Sequence, residues 1–203
     1  MTIQALLAFL AVTLLAACSS SEVQPVEPFK LPGYTISKAY DPLIKASARR
    51  FMPNVHWHWW KGQIWQESRM KPDAVSPVGA GGLAQIMPGT FRDIQRDMAR
   101  QMGLQIYDRF NAEQNLNGGA FYMNKCMVFW TTPRPLSELI RLGQACYNAG
   151  GGNILKAQRL CDGVLFWIDI KLCLPMVTGD HSRETIDYVR LIEQHKRVID
   201  AGF

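Results

Sequence analysis

No part of this chain alternates apolar and polar residues for long enough to pack one face of a strand, and that restricts the fold more than any other feature. Apolar residues recur instead at the three- and four-residue spacing that lines one side of a helix. Tyr40 to Phe51 carries Leu43, Ile44, Ala46 and Phe51, and Pro53 stops it. His56 to Ser68 carries Trp57, Trp60 and Ile64. Thr90 is placed to cap a third helix, with Phe91, Ile94, Met98 and Met102 on one stripe and Gly103 just past its end. Asn111 and Gln114 have the spacing of a capping box ahead of Leu116, Ala120, Met123 and Met127. Leu136 to Tyr147 forms another helix, ended by Asn148-Ala149-Gly150-Gly151-Gly152, and a short one spans Asn153 to Leu160. Ser182 is placed to cap a long final helix through Ile199, with Tyr188, Ile192, His195 and Ile199 aligned. The expectation is an all-α, mainly helical fold whose Trp and Met stripes form the core.

The 203 residues suffice for one domain with a real core. A net charge of +5 suits an anionic partner such as cell wall, nucleic acid or membrane surface, but ordinary surface charge is a plainer reading than any one of these. No run of Lys or Arg forms a patch, so nucleic acid is not expected as a partner. All 22 Lys and Arg lie after residue 18, behind an apolar run from Ala5 to Ala17 that is too short to span a bilayer comfortably. That run ends in Leu15-Ala16-Ala17-Cys18, which resembles a bacterial lipoprotein signal. The resemblance implies removal of residues 1–17, lipidation of Cys18 and attachment to a membrane. Ser19 in place of Asp implies the outer membrane, facing the periplasm. An ordinary export signal with a fortuitous cysteine is the other reading. Ser-, Val-, Pro- and Glu-rich sequence comes next, so residues 18–35 read as a tether to a domain at 36–203.

Cys126, Cys146, Cys161 and Cys173 remain, an even number in a chain expected to be exported, which suggests two disulfides. Cys161–Cys173 closes a short loop and is favoured, leaving Cys126–Cys146. Between Arg159 and His181 the apolar run Leu165, Phe166, Trp167, Ile168 and Ile170 is then a stapled loop, either packed inward or forming an aromatic lip over a groove. No Cys-x-x-Cys spacing occurs and the four His are not clustered with the thiols, so no metal and no cofactor is expected.

One carboxylate stands out. Glu67 comes three residues after Ile64 and seven after Trp60, which places it on the apolar face of its helix. A carboxylate in such surroundings is disfavoured as an anion and keeps its proton toward neutral pH, as a general acid requires. An exposed Glu at a frayed helix end is the alternative. The glycine-rich run Gly79-Ala80-Gly81-Gly82 lacks the lysine of a phosphate loop and serves close backbone approach.

Around Glu67 the sequence resembles the lytic transglycosylases of the soluble-lytic-transglycosylase type, relatives of goose-type lysozyme. Four motifs carry the resemblance, in order: Glu67-Ser68; Gly82-Leu83-Ala84-Gln85-Ile86-Met87-Pro88-Gly89-Thr90; Ala145-Cys146-Tyr147-Asn148-Ala149-Gly150; and Glu184-Thr185-Ile186-Asp187-Tyr188-Val189. Ala84 stands where such proteins usually have Met, Cys146 interrupts Ala-Tyr-Asn, and the loop before Glu184 is long. The resemblance implies a lysozyme-like α fold with a sugar-binding groove, and peptidoglycan glycan strands as substrate for a monomer. It implies Glu67 as the catalytic acid and then base. It also places Ser76, Gln85 and Met87 in the groove and has Tyr147 and Asn148 flank the reacting ring or steady Glu67. Glu184 would orient backbone or sugar, and Tyr188 would reach Glu67. Core tyrosines at 147 and 188, and a first-turn helix charge at Glu184, remain the plainer readings. A lysozyme-like hydrolase and a non-catalytic wall-binding lipoprotein remain open beside the transglycosylase. Asp73 and Glu184 are the candidates for a second carboxylate.

Overall fold

The computed structural model describes residues 34–202. The leader, Cys18 and the tether up to residue 33 lie outside the described residues. The described chain is helical: α1 (Asp41–Phe51), α2 (Trp57–Ser68), α3 (Pro88–Met102), α4 (Ala112–Val128), α5 (Leu136–Ala149), α6 (Gly151–Leu160), α7 (Trp167–Cys173), α8 (Pro175–Thr178) and α9 (His181–Asp200). Among the described residues no helix is long and apolar enough to cross a membrane.

The stripes seen in the sequence become two apolar clusters. Ile44, Phe51, Trp60, Ile64, Phe91, Ile94, Met98, Leu116 and Met123 belong to the first, which α1 to α4 enclose. Leu142, Ile154, Trp167, Ile170, Val189 and Ile192 belong to the second, made by α5, α6, α7 and α9. Glycines set the closest approaches between helices. A Cβ on Gly62 of α2 would lie 3.1 Å from the Ile192 carbonyl of α9, and one on Gly119 of α4 would lie 2.6 Å from Ala84 Cβ. Ala84 therefore leaves no hole where a larger side chain would stand: it is fully buried against the α4 backbone.

Helix boundaries differ from expectation in three places. α5 runs on to Ala149 and α6 begins at Gly151, two residues before Asn153, so Gly150 alone separates them. α3 begins at Pro88 behind Met87, because a proline in the first turn has its φ already set and has no amide to satisfy; Thr90 falls inside that turn. α9 begins at His181 behind Asp180, and Ser182 is buried within its first turn and caps nothing. Asn111 does cap α4, its Oδ1 accepting from the Gln114 amide at 3.1 Å. Gln114, however, turns its side-chain oxygen upstream to the amides of Tyr107 and Asp108, at 2.6 and 2.9 Å. The Arg159–His181 segment is not a plain loop. It contains α7 and α8, with Trp167 and Ile170 buried and Ile168 and Leu172 exposed.

Cys161 and Cys173 are joined by a disulfide. Cys126 and Cys146 are free, and the second bridge expected from the cysteine count is not formed. Both thiols are buried side by side between α4 and α5. Cys126 donates to Cys146, which also accepts from the Gly151 amide at the start of α6, so each thiol is satisfied as a thiol.

Candidate active site

Glu67 sits in the last turn of α2. The chain leaves the helix at once, because Arg69 and Met70 both adopt left-handed backbone, at φ 53° and 62°. The close approach of α2 to α9 at Gly62 brings Tyr188 across, and its hydroxyl donates to Glu67 Oε1. A cleft of about 330 Å³ opens there, with Gln66 and Glu67 on one side, Asn148 at the end of α5, and Glu184, Asp187, Tyr188 and Leu191 along one face of α9.

The electrostatics follow from this packing. Glu67 keeps some solvent contact on the cleft side, but protein crowds the carboxyl enough to raise its pKa from 4.5 to about 8. Burial is the main cause. The Tyr188 hydrogen bond opposes it by favouring the anion, and the charge of Glu184 adds to it. Tyr188 itself is held well above the ordinary phenol range, by burial first and then by the Glu67 charge. At neutral pH the site thus holds a neutral carboxylic acid next to a neutral phenol.

Around them the supporting bonds are specific. Asn148 donates Nδ2 to Glu184 Oε1 at 3.4 Å and accepts at Oδ1 from the Thr185 hydroxyl at 2.7 Å, which ties α5 to the first turn of α9. Tyr147 does not line the cleft. It donates to the Ala84 carbonyl at 2.9 Å, packs against Tyr122 with ring centroids 5.1 Å apart, and anchors the glycine-rich segment from beneath. Its pKa is well above the ordinary range, through burial and then the Glu67 charge.

The segment before α3 is a tight fold-back in which Gly81 bridges both Val75 and Ile86. Asn115 of α4 clamps it, accepting from the Ala84 amide at 2.7 Å and donating to the carbonyls of Gly81 and Arg109 at 3.1 and 2.7 Å. Gly82 has φ +79°, and a Cβ there would fall 2.3 Å from Asn115 Nδ2. Ser76, Gln85 and Met87 all lie on this segment, and none lines the Glu67 cleft. Ser76 Oγ accepts from the Ala80 amide at 3.0 Å. Gln85, at φ 46°, folds its amide back on the carbonyls of Ala74 and Gly82. Met87 is exposed at the start of α3. Ser68 is buried and bonds within its own helix to the Ile64 carbonyl, and Asp73 is exposed away from the cleft.

Sequence reasoning therefore assembled Glu67, Asn148, Glu184 and Tyr188. It missed Gln66, Asp187 and Leu191 as cleft residues. The signal for two of these was present: residues 184, 187, 188 and 191 share one helical face.

The described residues thus form a helical domain with one desolvated acid at a helix end, braced by a tyrosine and opening on a cleft. The comparison with protein families is specific: residues 45–167 match the Transglycosylase SLT domain, and the chain belongs to that family. It is similar to the membrane-bound lytic murein transglycosylase F of Serratia proteamaculans, with 26% identity over 76% of this chain and 33% of the relative. It is also similar to the protein of that name from Yersinia pestis, with 31% identity over 66% of this chain and 27% of the relative. This chain spans about a third of the length of these relatives, or less. Among solved structures, the 70 kDa soluble lytic transglycosylase of Escherichia coli superposes with a TM-score of 0.62. It shares 24% identity, over 80% of this chain and 24% of that one. The lytic transglycosylase Slt of Pseudomonas aeruginosa, solved as an inactive mutant, gives the same TM-score over 79% of this chain and 24% of that one, again at 24% identity. These two likenesses establish the lysozyme-like helical fold.

Proposed function

We propose that the chain is a peptidoglycan lytic transglycosylase that cleaves between N-acetylmuramic acid and N-acetylglucosamine. The observation that carries this reading is the desolvated Glu67 carboxyl, its pKa raised by burial, held by Tyr188 over the cleft. Glu67 gives its proton to the glycosidic oxygen as that bond breaks. The resulting carboxylate takes the proton of the C6 hydroxyl, and O6 bonds to C1 of the same muramic ring. The acid is regenerated, no water is consumed, and the product ends in a 1,6-anhydro sugar. One carboxylate suffices, whereas a glycoside hydrolase ordinarily uses two. The names of the relatives support the same chemistry.

Glu184 lines the same cleft, which favours hydrolysis as the second reading, with Glu184 activating water. Mass spectrometry of products from purified peptidoglycan separates the two. We expect ends lighter by one water than reducing ends, with Glu67→Gln releasing none; reducing ends would assign the hydrolase instead. The box at Leu15–Cys18 and Ser19 supports a lipid anchor on Cys18 in the outer membrane, facing the periplasm. Relatives described as membrane-bound support membrane association.

A further inference from the structure

The close crossing of α2 and α9 buries an imidazole as well as a phenol. A Cβ on Gly62 would lie 3.5 Å from that of His195, which is 2% exposed. His195 follows Tyr188 by seven residues and shares its face of α9. Both ring nitrogens have partners. Nδ1 meets the Tyr34 hydroxyl, and Nε2 lies 3.0 Å from Gln66 Oε1. Tyr34 is fixed by its ring, which stacks on Trp65 with centroids 6.2 Å apart and meets the imidazole edge-on at 5.6 Å. Tyr34, His195 and Gln66 thus form one hydrogen-bonded line that ends at the residue before Glu67.

The direction of each bond in this line is determined. An amide oxygen only accepts, so the imidazole donates to Gln66 from Nε2. Burial, and then the Arg69 charge, lower the His195 pKa from 6.5 to about 4, so the ring is neutral at working pH and carries one N–H. Nδ1 is then the acceptor, and Tyr34 is its donor. Gln66 spends its oxygen on His195. Its amide nitrogen has no partner among the described residues and is not buried. Gln66 lines the Glu67 cleft, so the end it presents there is the N–H end. The neighbouring polar groups differ: Asn148 has both ends of its amide engaged, and Glu184 and Asp187 are carboxylates. A sugar offers oxygen acceptors to such a donor, at its acetamido carbonyl and its hydroxyls.

We infer that Gln66 is a substrate-binding residue that donates its side-chain N–H to an oxygen of the glycan at Glu67, and that His195 and Tyr34 are positioning residues that decide which end of Gln66 faces the substrate. The inference rests on the transglycosylase reading for the identity of the ligand.

Nitrogen-15 NMR of the His195 ring in the parent protein tests the line at rest. The proton should be on Nε2. A proton on Nδ1 would turn the Gln66 oxygen to the cleft and overturn the inference. Kinetics on soluble glycan strands test the contact. Gln66→Met should raise KM about tenfold, the effect of one lost hydrogen bond, with kcat held. An unchanged KM, or a fall in kcat alone, would make Gln66 no substrate contact. His195→Phe frees the amide to turn and should raise KM about threefold, but should add nothing in a Gln66→Met background. Additive effects would show that His195 acts on the fold and not through Gln66. His195→Gln, whose Nε2 can donate along the same line, should keep the parent KM. A third arm needs no turnover: a tetramer of N-acetylglucosamine is titrated calorimetrically into Glu67→Gln, with and without Gln66→Met. Binding about tenfold weaker in the double variant supports the contact, and equal binding, or none in either protein, overturns it. Absence of cleavage by the parent protein would sink the catalytic reading alone, because this third arm would still decide the role of Gln66.

Discussion

Glu67 is reached by ordinary residue-level physics. Three turns of apolar spacing put it on the inner face of α2, and that face is buried at Trp60 and Ile64. The consequence for stability has a definite sign. The folded pKa is raised, so the acid costs nothing below its ordinary value of 4.5, and stability is lost as pH rises from there toward about 8. Glu67→Gln should therefore melt like the parent at pH 4 and be more stable by about 3 kcal/mol at pH 7. Thermal melts across that range check this; a pH-independent difference would mean that the carboxyl is solvated. Other residues were not legible. Nothing in the sequence marks Gln85 for φ 46°, a conformation few non-glycine residues take, and its side chain is spent inside its own turn. Its motif position pointed to the groove, and its side-chain amide bonds to the carbonyls of Ala74 and Gly82 instead of facing the Glu67 cleft.

Elements were the most legible scale, because amphipathic period and stop signals are local. Pro53, Gly103 and Asn111 marked helix boundaries correctly. Thr90 and Ser182 misled, since a capping side chain is useful only where the helix begins, and Pro88 and His181 begin theirs earlier. The contact of α2 with α9 was the least visible, because 121 residues separate Glu67 from Tyr188. It depends on Gly62, which lets the α9 backbone lie against α2. Gly62→Val should push α9 away, lower stability by about 2 kcal/mol through overpacking, and cut cleavage by withdrawing Tyr188 from Glu67. Melting and activity are measured together. Lost stability with full activity would show that the helix contact does not set the site.

For the whole molecule, the two apolar clusters divide the work. The first holds α2 and the glycine-rich fold-back; the second holds α9 and the disulfide-linked segment. The even cysteine count suggested two bridges, but pairing depends on three-dimensional surroundings, and Cys146 is satisfied by Gly151 and Cys126 without one. The Cys161–Cys173 bridge spans 12 residues of sequence, and removing it as Cys161→Ser with Cys173→Ser should cost about 3 kcal/mol, read as a lower melting temperature. An unchanged melt would mean that α7 is held by its packing alone.

The proposed cleavage requires a carboxylic acid that stays protonated at neutral pH, and carbon-13 NMR of the Glu67 side-chain carboxyl, assigned by its loss in Glu67→Gln, measures that directly. The midpoint should fall at about 8, higher in Tyr188→Phe, which loses the bond that favours the anion, and lower in Glu184→Gln, which loses the neighbouring charge. A midpoint near 4.5 would contradict the proposed chemistry, because the group would then be an anion with no proton to give.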